Sequence, residues 1–85
     1  MTLKLRAGIS TADVEYGTAL LDEDGGEYWN LNPTGSLVLQ TLLSGGTADE
    51  AAQALVDEYG IDAEAAARDV HELIEALHAA GLVDE

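Results

Sequence analysis

Three side chains in this 85-residue sequence stand at a spacing that chemistry can use. His71, Glu75 and His78 fall at i, i+4 and i+7 and share one face of a predicted helix, which is metal-ligand spacing. Glu64 and Arg68 extend the same face, so the row reads equally as a solvated stripe, and a structural zinc site needs a fourth ligand that is not obvious here. Ser36 has no base tied to it by any spacing rule, because both histidines lie in one helix. The absence of Cys excludes disulfides, thiolate metal sites and thiol nucleophiles. The carboxylates are scattered and none is boxed in by apolar neighbours, so paired acid–base work has no support. Gly25-Gly26 and Gly45-Gly46 lack the Lys or Ser/Thr spacing of a phosphate loop. The expectation is a protein with no catalytic residues, no metal and no cofactor.

Charge narrows the partners. Seventeen acidic residues against three basic ones give −14. Phosphate backbones reject such a surface, so nucleic acid is not an expected partner. No apolar run reaches the roughly 18 residues that span a membrane, and the start, M-T-L-K-L-R-A-G-I-S, lacks a signal-peptide core. Residues 1–85 are read as one domain of a monomeric, soluble, cytoplasmic protein. Hydrophobic residues make up 47% of the chain and are patterned, which argues against disorder.

The elements change period once. Leu3, Leu5 and Ala7 alternate with polar residues as a weak strand or extended arm. Ala12 to Glu15 is read as a short strand, Tyr16-Gly17 as a tight turn and Thr18 to Asp22 as a second strand. Glu23 to Gly26, E-D-G-G, closes a hairpin onto a third strand, Glu27 to Leu31. From Asn32 the period becomes 3.6. Asn32 is an N-cap with Pro33 at the first helical position, and Gly45-Gly46 stops this first helix. Thr47 to Glu50 is a capping box ahead of a stripe of Ala48, Ala51, Ala52, Leu55, Val56 and Tyr59. Asp62 caps the third helix, whose stripe is Ala63, Ala66, Ala67, Val70, Leu73, Ile74 and Leu77, with Gly81 as its C-cap. The fold class is α+β: an N-terminal three-stranded antiparallel sheet followed by a three-helix bundle, winged helix-turn-helix-like with the sheet placed first.

The chain is organised around E-Y-W-N-L-N-P-T-G, residues 27–35, where a strand runs straight into a helix. This strand carries the only Trp and is the last before an all-helical remainder, so it is a candidate edge strand with backbone groups to protect or to use. Leu31 adjoins the helical core, which puts Trp29 on the same face and Tyr28 and Asn30 on the other. One reading has the aromatics complete a small core. In the functional reading, the strand accepts a guest strand, in the manner of peptide recognition by strand addition.

Two resemblances follow. Gly35-Ser36-Leu37 at a helix start in an acidic chain resembles an acyl or peptidyl carrier protein, which would make Ser36 the phosphopantetheine attachment site. It departs where Thr34-Gly35 stands in place of an Asp before the serine, and in having strands ahead of the motif. L-L-D-E-D-G-G-E-Y-W-N-L-N-P-T-G, with three helices and a closing G-L-V, resembles the PqqD-like proteins, the leader-peptide recognition elements for ribosomally made, modified peptides. This second resemblance runs from about Ile9 to Val83, and L-N-P-T-G is its most specific part. It implies binding of a precursor's leader as an added strand between the third strand and the third helix. The implied binding residues are Glu27, Tyr28, Trp29, Asn30 and Leu31 on the strand, and Val70, Leu73, Ile74 and Leu77 on the helix. It carries no catalytic residue. Stand-alone members of this size resemble the recognition proteins of lasso-peptide pathways, whose partners are a leader peptidase and an ATP-dependent cyclase. Other members act as peptide chaperones for radical-SAM maturases.

Overall fold

Thr18 and Leu20 are buried while Leu21 between them and Asp22 is exposed, and this alternation makes residues 17–22 the central strand of a half-buried sheet. The computed structural model describes residues 3–84; residues 1, 2 and 85 of the expected domain lie outside the described residues. The order is β1 (Lys4–Leu5), β2 (Ile9–Val14), β3 (Gly17–Asp22), β4 (Glu27–Leu31), α1 (Pro33–Leu43), α2 (Ala48–Tyr59), α3 (Ala63–Ala79) and β5 (Val83–Asp84). β2, β3 and β4 form an antiparallel sheet in that order, which leaves β4 at an edge. The result is an α+β fold with a three-stranded antiparallel sheet and three helices.

The sheet departs from the expectation at its start. β2 begins at Ile9 rather than Ala12, because pairing with β3 holds the polar run Ser10-Thr11 in the ladder. The turn residues are Glu15 and Tyr16, and Gly17 belongs to β3, with Val14 paired to it. The N-terminal arm is a strand as well: Lys4 pairs with Asp84 and Leu5 with Val83, a second small sheet that joins the two ends of the chain. Arg6 fastens this sheet to the larger one. Its backbone N–H donates to the Leu82 carbonyl at 2.9 Å, its Nε donates to the Gly81 carbonyl, and its guanidinium lies 3.4 Å from Asp22.

The helices start and stop where local chemistry requires. The Asn32 side chain accepts from Gly35 N–H at 2.8 Å, with Pro33 at the first helical position. The capping box is complete: Glu50 N–H donates to Thr47 Oγ1 at 3.1 Å, and Thr47 N–H donates to the Glu50 carboxylate at 2.8 Å. Past α3, Ala80 is the C-cap and Gly81 takes the left-handed conformation, which lets Leu82 N–H reach the Leu77 carbonyl and turns the Leu82 side chain into the core.

The core joins Leu20 of the sheet to Val38, Leu39 and Leu42 of α1, Ala51 and Leu55 of α2, and Ala66, Val70 and Leu77 of α3. Ala51 and Ala66 are as buried as the leucines, as close helix approach through small side chains requires. The sheet is tied to α1 by a buried hydrogen bond between the hydroxyls of Thr18 and Ser36. Ser36 also accepts from Gln40 Nε2 at 3.2 Å. This corrects the carrier reading. An attachment serine must present its hydroxyl to an enzyme, whereas Ser36 is buried beneath the sheet and already partnered.

Candidate functional site

The open edge of β4 is defined by which of its residues bond inward. Glu23 N–H donates to the Gly8 carbonyl at 2.9 Å, so these two extend the β2–β3 register as a hydrogen-bonded pair. Hydrogen-bonded pairs alternate along an antiparallel ladder. Gly17, Ala19 and Leu21 therefore bond to β2, which leaves Thr18, Leu20 and Asp22 to bond to β4. Their partners are Leu31, Trp29 and Glu27. Tyr28 and Asn30 consequently direct both N–H and C=O away from the sheet. A separate observation agrees: the Leu31 carbonyl lies against Gly17, so it points toward β3.

The side chains sort by the same alternation. Trp29 and Leu31 share the face of buried Leu20 and are half-buried. Tyr28 stands beside Leu21 on the outer face, 67% exposed. Asn30 is on that outer face, and Glu27, at the hairpin end, is exposed. The hairpin is held by Asp22. One of its carboxylate oxygens accepts from Asp24 and Gly25 N–H, both at 3.1 Å, and the other faces Arg6.

Opposite the edge stands α3. It packs on α2 and scarcely touches β4, so a cleft of about 470 Å³ lies between them. The strand and the start of α1 supply Asn30, Leu31, Asn32, Thr34 and Gly35 to its wall. Val38 and Leu55 form its floor, and Asp69, Glu72 and Leu73 come from α3. Of the residues expected to bind, Asn30, Leu31 and Leu73 line the cleft together. Ile74 is half-buried at the next position and does not line it. Val70 and Leu77 are core residues, 1% and 2% exposed, and hold α3 in place from behind. The sequence reading missed Asp69 and Glu72. The signal was the helical row of Asp69, Glu72 and Leu73 at i, i+3 and i+4, which puts both carboxylates beside the expected anchor.

The histidine row forms no metal centre among the described residues. His71 Nε2 lies 2.8 Å from the Glu75 carboxylate on the exposed face of α3, and His78 Nδ1 lies 3.0 Å from the Ile74 carbonyl. No helix among the described residues is long and apolar enough to cross a membrane.

Comparisons with known proteins bear on this geometry. No curated protein sequence matches the chain. Among solved structures, "Lasso peptide synthetase B1 complexed with the leader peptide" is similar at 39% identity and a TM-score of 0.93, covering 100% of both chains. "TbiB1 in Complex with the TbiA(beta) Leader Peptide" is similar at 26% identity and a TM-score of 0.84, covering 95% of this chain and 94% of the other. The family described as "Coenzyme PQQ synthesis protein D (PqqD)" matches residues 17–83, a span from the first residue of β3 through α3 to the start of β5, and the chain belongs to that family.

Proposed function

We propose that this protein captures the leader segment of a ribosomally synthesised precursor peptide as a strand added to β4, and presents it to the enzymes of a lasso-peptide pathway. One observation carries the reading: Tyr28 and Asn30 turn their N–H and C=O groups outward along the open edge of β4, whose end, Asn30 and Leu31, lines a cleft backed by α3, in a fold shared with two proteins solved with leader peptides. Backbone hydrogen bonds supply affinity in such a mode, and alternate guest side chains supply selectivity. The binding set is Glu27 to Leu31 on the strand and Leu73 on α3, with Ile74 beside it outside the cleft and Val70 and Leu77 supporting the helix from the core. The protein works as a monomeric cytoplasmic adaptor without catalysis, and its enzyme partners are a leader peptidase and an ATP-dependent cyclase. The sheet followed by three helices is a winged helix-turn-helix-like arrangement put to peptide binding.

The test is a fluorescence titration with a lasso-precursor leader peptide. Saturable binding at one peptide per protein is expected, with binding lost when the leader is scrambled. Equal binding of native and scrambled leaders removes the reading. The family match favours a second reading, a peptide chaperone for a radical-SAM maturase. The two are separated by whether the protein accelerates leader removal by the peptidase or modification by the maturase.

A further inference from the structure

The geometry points to a basic side chain, Lys or Arg, as the guest residue that enters the cleft beside Leu31; this rests on the strand-addition reading above. A guest residue that exchanges hydrogen bonds with Asn30 carries its side chain on the outer face of the sheet, with Asn30 itself. Its neighbour opposite Leu31 carries its side chain inward, toward α3. The space it meets has two parts. Below are Leu31, Val38, Leu55 and Leu73, and at the α3 wall are the carboxylates of Asp69 and Glu72.

An apolar floor under an acidic rim fits a long amphipathic chain, whose methylenes pack on the floor while its charged head stays at the rim. A wholly apolar guest side chain would cover the floor but strip water from two carboxylates without giving them a partner. An acidic one would be repelled. No Lys or Arg lines the cleft, and among the described residues neither Asp69 nor Glu72 is salt-bridged. The Gly35 N–H at the start of α1 does not offset them, because it donates to the Asn32 side chain at 2.8 Å. A net charge of −14 raises the local concentration of any cationic guest, but only the cleft assigns its charge to one position.

The experiment is a display selection of random peptides on the full chain, on an Asp69→Asn/Glu72→Gln variant, and on an Asp13→Asn/Glu58→Gln variant. The last has the same change in charge at exposed residues outside the cleft. Circular dichroism establishes that each variant is folded. The expected result is Lys or Arg at one fixed position of the peptides selected by the wild type and by the Asp13/Glu58 variant, and loss of that preference on the Asp69/Glu72 variant. Replacing that basic residue of a selected peptide by norleucine then weakens wild-type binding roughly fivefold, the upper end for an ion pair at a wet rim, and leaves binding to the Asp69/Glu72 variant unchanged. Apolar residues with no basic preference overturn the proposal and leave strand addition standing. Equal basic preference on all three proteins makes overall charge the cause and overturns it too. Failure to select any peptide overturns both this proposal and the strand-addition reading.

Discussion

The Leu31 carbonyl sits directly over Gly17. A Cβ built on Gly17 falls 2.9 Å from the Leu31 carbonyl carbon and closer still to its oxygen. This contact brings the end of β4 against the start of β3 and fixes where the strand gives way to α1. Gly17 also has φ of +146°, a backbone conformation that side-chain-bearing residues rarely adopt. Gly17→Ala is therefore expected to lower unfolding free energy by about 3 kcal/mol or more, combining backbone strain with an obligatory clash. Gly26 also has positive φ, +72°, but nothing lies within 4 Å of its Cβ position, so Gly26→Ala is expected to cost only about 1–2 kcal/mol. Urea midpoints of the two variants measure the difference.

The outward direction of the Asn30 N–H makes proline a clean probe of the edge. Asn30→Pro removes a donor that the sheet does not use, which an edge position tolerates. The helical signal should remain, while affinity for the precursor peptide falls by an order of magnitude or more, because a guest bond is lost and the ring intrudes on its path. Trp29→Pro is the control. Its N–H points at β3, so this variant should lose the cooperative unfolding transition. A folded Asn30→Pro protein that binds normally would remove strand addition from consideration.

Much of this architecture is local and so could be read from the sequence. Asn32-Pro33, the Thr47–Glu50 box and the Glu23–Gly26 turn each encode their structure within four residues. The β1–β5 pair does not, because Lys4 meets Asp84 from the far end of the chain; the weak alternation of Leu3, Leu5 and Ala7 marks the first strand but not its partner. The start of β2 was hidden for a related reason: Ser10, Thr11 and Asp13 face solvent or a neighbouring strand, and no apolar alternation marks them. In α3 the helical period groups Val70, Leu73, Ile74 and Leu77 as one apolar set, but only packing against the other helices decides which of them remain available to the cleft. Asp69 and Glu72 carry no local mark of a binding wall, because the strand opposite them is distant in sequence.

The buried hydroxyl pair of Thr18 and Ser36 gives a prediction about polar satisfaction. Ser36→Ala leaves Thr18 Oγ1 buried without its partner, and the cost of one unsatisfied group is about 1–3 kcal/mol. Adding Thr18→Val removes the orphan and should recover most of that loss. A double variant no better than the single one would mean that the pair contributes through shape and not through its hydrogen bond.

The capping box at α2 offers a smaller, separable effect. Thr47→Ala should cost about 1 kcal/mol, since Glu50 N–H loses its acceptor. Glu50→Ala removes the reciprocal bond to Thr47 N–H. The two losses are expected to be less than additive when combined, since each side chain helps orient the other. Urea denaturation of the single and double variants tests this.

Alanine substitution along α3 separates residues that hold the helix from those that meet the guest. Leu77 is buried in the core, so Leu77→Ala should lower stability by about 2–5 kcal/mol. Val70 is equally buried but smaller, and Val70→Ala should destabilise less. Any change these two cause in peptide affinity should track the fraction unfolded. Leu73 is only half-buried and lines the cleft, so Leu73→Ala should weaken peptide binding in a protein that remains folded. Ile74, half-buried one position further along and outside the cleft, is the internal comparison: Ile74→Ala should leave affinity near the wild-type value. Titrations must be made well below each variant's unfolding midpoint, so that lost affinity is not lost fold. The reverse outcome, with Ile74→Ala abolishing binding and Leu73→Ala binding normally, would place the guest on the other flank of α3, away from Asp69 and Glu72.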